Sequence, residues 1–127
     1  MTRLAVFDCD GTLVDGQADI CDIMVSAYER AEIASPSRND IRRIVGLSLP
    51  VAIRQLSPDI DDNTVRALVE FYKSGYFARR EEGRLHEPLY DGIAELLHAL
   101  RADGWVLAVA TGKSDRGLAS VLAAHGL

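Results

Sequence analysis

Val6-Phe7-Asp8-Cys9-Asp10-Gly11-Thr12-Leu13-Val14-Asp15 decides how this chain of 127 residues is read. The run Leu4 to Phe7 is apolar throughout, as in a buried parallel strand. It breaks into two carboxylates spaced i, i+2, with Gly and Thr immediately after. Residues two apart on extended backbone point to one side, so Asp8 and Asp10 are predicted to converge on one small volume. Their repulsion predicts a raised pKa for one of them, giving one ionised carboxylate and one proton donor. Gly11 permits close backbone approach, and the amides of the turn are expected to be free to receive an anion. Taken by itself, a pair of aspartates at a turn more often does no more than solvate it.

The totals narrow the field. Apolar residues make up 48% of the chain, enough for the core of one domain. No apolar run approaches the roughly 18 residues of a membrane span, and no basic-then-apolar leader opens the chain. The expectation is a cytoplasmic protein with no membrane partner. A net charge of −5 argues against nucleic acid as a partner. Cys9 and Cys21 have neither metal-ligand nor disulfide-framework spacing, so reduced thiols are expected. Strand alternation turns Cys9 away from the two aspartates and into the core.

Outward from the opening motif the pattern becomes helical. Ile20, Ile23, Met24, Ala27, Tyr28 and Ala31 form one apolar stripe, stopped by Ser35-Pro36-Ser37. Ser37 with Asp40 predicts an N-cap, and Gly46 closes that short helix. Ser48-Leu49-Pro50 opens another short helix, and Asp61 to about Arg80 predicts the longest, with Gly75 its weak point. After the polar Glu81-Glu82-Gly83-Arg84, Asp91 is a candidate N-cap for a helix ending at Gly104. Trp105 to Ala110 reads as a strand, and Ser114 caps a last helix. Strand, helical block, helix, strand, helix predicts a parallel α/β fold with an insertion straight after the first strand. Its units are 1–15 with 85–127 for the α/β core, and 16–84 for the insertion.

Ala110-Thr111-Gly112-Lys113-Ser114 falls where a parallel strand ends and a helix begins, the edge at which such sheets bind anions. A nucleotide-binding P-loop is excluded, because its first glycine would fall at Leu107, inside the strand. Lys113 reads equally as a ligand-facing group and as a solvated residue at a helix start. His86, His98 and His125 lack partners at ligand spacing and are assigned structural roles.

The string from Phe7 to Leu13 resembles D-x-D-G-T-[LV], the first signature of the haloacid dehalogenase (HAD) superfamily. A helical block directly after it resembles the small cap of the phosphoglycolate phosphatase and β-phosphoglucomutase relatives. The resemblance implies an HAD-like, Rossmann-type parallel-sheet core carrying a helical cap of the first type. It makes Asp8 the nucleophile and Asp10 the general acid/base; an aspartate at the second position, rather than Tyr or Ala, favours phosphate esters. Mg²⁺ would be held by Asp8 and the main-chain carbonyl of Asp10. Gly11, Thr12, Thr111, Gly112 and Lys113 would bind phosphate, with Thr111 as the second-motif hydroxyl. Gly46 and Arg54 of the cap would contact the substrate.

The superfamily also uses a later lysine and a Gly-Asp-x-x-x-Asp motif. No Gly-Asp pair occurs here, and the only other lysine, Lys73, falls in the cap. The expectation is therefore the N-terminal portion of a longer hydrolase, its sheet incomplete at the C-terminus, weakly active alone. The implied reaction is Mg²⁺-dependent hydrolysis of a small phosphorylated metabolite through an aspartyl-phosphate. A non-catalytic binder of a phosphometabolite or partner protein is the alternative, as is a phosphosugar mutase. A signalling receiver domain is disfavoured, since it needs adjacent acidic residues after its first strand.

Overall fold

The computed structural model describes residues 1–127. Two short strands, β1 (Leu4–Phe7) and β2 (Val106–Val109), pair in parallel with Leu4 opposite Val106 and Phe7 opposite Val109. Five helices lie between them in sequence, the first four being α1 (Gln17–Arg30), α2 (Arg38–Arg43), α3 (Leu49–Leu56) and α4 (Asp62–Glu81). Helix α5 (Ile93–Ala102) leads into β2, and α6 (Asp115–Ala124) follows it. The order is the one predicted from the apolar periodicity.

Local chemistry sets most boundaries. Ser37, Asp61 and Ser114 each accept a hydrogen bond from the amide three residues on, closing the N-termini of α2, α4 and α6. At the end of α5, Gly104 takes φ +84°. Its amide reaches the Arg101 carbonyl and the Trp105 amide reaches Leu100, the paired bonds of a Schellman stop. Helix α5 itself begins differently from expectation. Its N-cap is Gly92 at φ +82°, and Asp91 makes no capping bond, because the left-handed glycine carries the chain away from it. Helix α4 runs unbroken past Gly75. A Cβ there would stand 3.3 Å from Ile23 Cγ2, so the missing side chain lets α4 pack closely on α1 at this point.

Two apolar clusters result. Helices α1 to α4 enclose one of eleven buried residues, running from Ile20 to Leu68 and including Tyr28, Ile41 and Ile53. The Tyr28 hydroxyl shares a 2.7 Å hydrogen bond with Ser57 Oγ inside this block. The second cluster holds five residues: Cys9, Leu13, Val14, Leu97 and Val121. Cys9 is fully buried there, as expected, and burial followed by the nearby Asp10 charge pushes its thiol pKa up to about 11. The strands are less covered than their composition suggests. Leu4, Val6 and Val106 are each about half exposed, since no element of these residues lies over that face.

The chain leaves and re-enters the α/β part along one line. Asp15 N–H donates to the Pro88 carbonyl at 2.8 Å, and Tyr90 N–H to Leu13 at 3.1 Å. Just above, Asp19 on α1 is buried and accepts from Arg79 on α4 and from the His86 amide. No helix is long and apolar enough to cross a membrane.

Candidate active site

The opening motif forms a tight turn rather than an open cradle. The Cys9 carbonyl accepts from the amides of Thr12, Leu13 and Val14, at 3.2, 2.9 and 3.1 Å, and Gly11 N–H donates to Val14. The amides of Gly11 and Thr12, expected to be free for an anion, are thus engaged by the turn itself. Gly11 adopts φ +81°, a conformation that only glycine takes without strain. Asp8 is exposed, and its Oδ1 accepts from the Cys9 amide at 2.7 Å.

Asp10 stands in a more closed setting. Its carboxylate oxygen lies 3.3 Å from Lys113 Nζ. Lys113 also donates to Glu87 Oε2 at 3.0 Å and to the Tyr76 hydroxyl at 2.9 Å, and Tyr76 donates in turn to Glu87. The Lys113 side chain is only 7% exposed, which removes the reading of a solvated helix-start lysine. Burial works against its charge, yet Tyr76, Asp10 and Glu87 outweigh it and hold the ammonium protonated far above its usual range. Asp10 is shifted upward, as the paired-carboxylate argument predicts, but for another main reason. Burial is the largest cause, Lys113 opposes it, and repulsion from Glu87 and then Asp8 contributes least. Tyr76 is pushed up to about 12, again chiefly by burial.

A cavity of about 510 Å³ opens between this cluster and the helical block. Asp10, Gly112, Lys113, Ser114 and Arg116 line it from the ends of the strands. Gly46 lines it from the turn between α2 and α3, at φ +100°. The fit there is close: a Cβ on Gly46 would lie 3.6 Å from Asp8 Oδ2, and one on Gly112 only 3.0 Å from the Gly46 carbonyl. The structure therefore gathers Asp8, Asp10, Gly46, Gly112 and Lys113 at one place. Thr111 adjoins them, its Oγ1 accepting from the Lys113 amide at 3.1 Å while its own proton remains available to donate. Thr12 is exposed on the turn.

Arg54 is a correction. Its guanidinium donates to the Ile60 carbonyl and to Asp62 Oδ1, each at 2.6 Å, and it does not line the cavity. Partners six and eight residues ahead, where α3 turns into α4, are nearer than any ligand site. The cations that do reach the cavity from the helical block are Lys73 and Arg80. Glu87 and Tyr76 join the site without any sequence pattern that points to them. Tyr76 carried only the signal of a core position, and Glu87 sits in a return loop with no pattern of its own.

Residues 5–127 match the sequence profile of the haloacid dehalogenase-like hydrolases. The chain belongs to that family. Among HAD relatives, it is 34% identical over 130 residues to a Dickeya dadantii protein named "Probable phosphatase IndB", covering 100% of this chain and 55% of that one. It is 32% identical over 119 residues to a phosphoglycolate phosphatase of Agrobacterium fabrum, covering 91% of this chain and 50% of the relative. The crystal structure of a predicted phosphatase from Clostridium acetobutylicum superposes with a TM-score of 0.84 at 24% identity, over 98% of this chain and 56% of that one. The HAD fold is thus shared, and the chain spans about half the length of the curated relatives it matches.

The donor set for a divalent ion is partial. No group of three or more His, Cys, Asp or Glu side chains is arranged to hold a metal ion. Within these residues the available oxygens are the Asp8 carboxylate and the Asp10 main-chain carbonyl, since the Asp10 carboxylate is shared with Lys113.

Proposed function

We propose that this chain carries the nucleophile half of an HAD phosphatase acting on a small phosphorylated metabolite. The observation that supports it most directly is the Asp10–Lys113 pair at the ends of two paired parallel strands, lining a cavity bounded by the helical block, with Asp8 just outside the lining against Gly46. Residues 16–84 are read as the cap and 1–15 with 85–127 as part of the core. Around the cavity stand four cations, Lys73, Arg80, Lys113 and Arg116, against Asp10 in the lining, Glu87 behind Lys113 and Asp8 beside Gly46, in a chain whose net charge is −5. That local excess of cations suits a phosphate dianion.

In this reading the Asp8 carboxylate attacks phosphorus in line, and the bond from phosphorus to the ester oxygen breaks. Asp10, its pKa raised by burial, gives its proton to the departing alkoxide. It then takes a proton from the water that attacks the aspartyl-phosphate, returning Asp8 as a free carboxylate with release of phosphate. Thr111 Oγ1 would hold a phosphoryl oxygen, and the Lys113 ammonium, its donors taken by Asp10, Tyr76 and Glu87, would add positive charge beside it. Mg²⁺ bound by Asp8 and the Asp10 carbonyl would neutralise charge between carboxylates and phosphate, with further ligands from water or from protein outside these residues.

Asp8→Asn tests the scheme in the protein and in any longer form of it. Turnover of an aryl phosphate should vanish while the unfolding midpoint stays put, because an amide forms no acyl-phosphate. Retention of more than about a few per cent of the rate would rule out covalent catalysis by Asp8. Lys113 gives the rival reading some weight, since its three N–H donors are all engaged by the protein. A module that binds phosphorylated ligands without turnover would show affinity for inorganic phosphate with no hydrolysis at any Mg²⁺ concentration.

A further inference from the structure

The two sides of the cavity differ in chemistry. From the strand ends come the charged and hydroxyl groups: Asp10, Lys113, Ser114 and Arg116. From the helical block come Met24, Ile44, Leu47, Leu49, Tyr72 and Phe77. That wall contributes no carboxylate, amide, serine or threonine; its polar groups are Lys73, Arg80 and two tyrosines, and the Tyr76 hydroxyl is already taken by Lys113 and Glu87. Leu47 and Phe77 remain 42% and 49% exposed, large apolar side chains left uncovered beside the phosphoryl end.

We infer that the site selects phosphate monoesters whose alcohol carries an apolar body, an aryl or branched-alkyl group, over those of sugars or small hydroxy acids. The inference rests on the phosphoryl reading of the strand-end groups. A sugar phosphate brings several hydroxyls into the cavity, each of which donates as well as accepts, and the helical wall supplies donors from Lys73 and Arg80 but no carboxylate or amide oxygen to accept. A flat or branched apolar group needs none, and it covers Leu47 and Phe77. The volume of about 510 Å³ lies in the range of sites for ligands of that size, and far exceeds a two-carbon hydroxy acid. Lys73, exposed at the rim, and above all Arg80 favour a competitor. The Arg80 guanidinium lies 5.3 Å over the Tyr76 ring, and its Nε is buried without a partner, so a second anion on the substrate would find a donor there. The apolar wall is the larger feature, and Arg80 held over a ring by cation–π contact also suits an aromatic neighbour.

The test is equilibrium binding to the full chain, with inorganic phosphate, 2-phosphoglycolate, glucose 6-phosphate and 1-naphthyl phosphate as probes. Naphthyl phosphate should bind at least about tenfold more tightly than either polar ester. Leu47→Ser combined with Phe77→Ser should erase that margin, with the unfolding midpoint confirming that the variant folds. Leu49→Gln reads the same wall from α3 and should narrow the margin as well. Equal or weaker binding of the aryl ester, or a margin that survives in the folded double variant, overturns the inference alone. Tightest binding of phosphoglycolate, lost in Arg80→Met, overturns it in favour of a second anion subsite. If no probe binds, inorganic phosphate included, the phosphoryl reading itself fails and the inference falls with it.

Discussion

The helical block and the α/β part that flanks it are packed to different degrees. The first closes eleven buried residues on itself, whereas the second gathers five and leaves Leu4, Val6 and Val106 about half exposed. Yet the residues to which chemistry is assigned, Asp8, Asp10, Thr111 and Lys113, all stand on the less packed part. Their geometry is held from across the boundary. Tyr76 on α4 grips Lys113 and Glu87, and the Gly46 turn lies against Asp8 and Gly112. Here the inserted block contributes rigidity to the site as well as a wall for the ligand, so a perturbation of the block should reach the chemistry.

The largest expected effect is in the helical core. Ile53 is fully buried in the eleven-residue cluster, so Ile53→Ala should cost about 2–5 kcal/mol in urea unfolding. Leu97→Ala, in the smaller cluster and 9% exposed, should cost about 2 kcal/mol or less. Equal costs at the two sites would show that the contrast in packing carries no energetic weight. Next comes Asp19→Ala, which strips partners from Arg79 and the His86 amide at once and should cost about 1–3 kcal/mol. Arg79 keeps a fallback, Asp22 Oδ2 at 3.7 Å, which limits the loss. Hydrogen exchange at the end of α4 and in the return loop reads the same change locally.

Gly112→Ala probes the boundary directly and should be milder. The added methyl would meet the Gly46 carbonyl at 3.0 Å, closer than carbon and oxygen settle, so the turn over Asp8 must shift by a few tenths of an ångström. The strain is partly offset because alanine also restricts the unfolded chain, leaving a net cost of about 1 kcal/mol. Faster exchange at Gly46 and Leu47, with α1 unchanged, is the expected signature. No change at Gly46 would mean that the two parts do not bear on each other there.

Much of this arrangement was legible in the sequence where the cause is local. Ser37, Asp61 and Ser114 cap helices because an oxygen three residues before an amide is a short-range fact. The Asp8–Asp10 turn and the Thr111–Gly112–Lys113 turn fall at strand ends because apolar runs stop there. What the sequence did not reveal depends on distant neighbours. Glu87 belongs to the Lys113 cluster only because the return loop lies beside the opening motif, 26 residues from the lysine it holds. Arg54 reads as a substrate contact from its charge and its place in the inserted helical block, yet Ile60 and Asp62 lie within easier reach. The shift of Asp10 has the predicted direction, but its main cause, burial, is a property of packing that no i, i+2 spacing encodes.

The smallest effect expected is at the open face of the sheet, and it sharpens the contrast most. Val6 is 55% exposed on β1, so Val6→Lys removes little buried apolar area and places an ammonium where water already reaches. The loss of a β-branched residue costs a few tenths of a kcal/mol, and the whole change should stay within about 0.5 kcal/mol. Its visible consequence lies in association. An apolar face on a two-stranded sheet offers itself to other copies, and a lysine there discourages pairing. Light scattering on concentrated protein should therefore show the variant nearer the 13.9 kDa of a single chain than the unmodified protein. A loss of several kcal/mol on the same substitution would mean that Val6 is buried in solution. The α/β part would then be as well packed as the helical block, and the site would need no support from across the boundary.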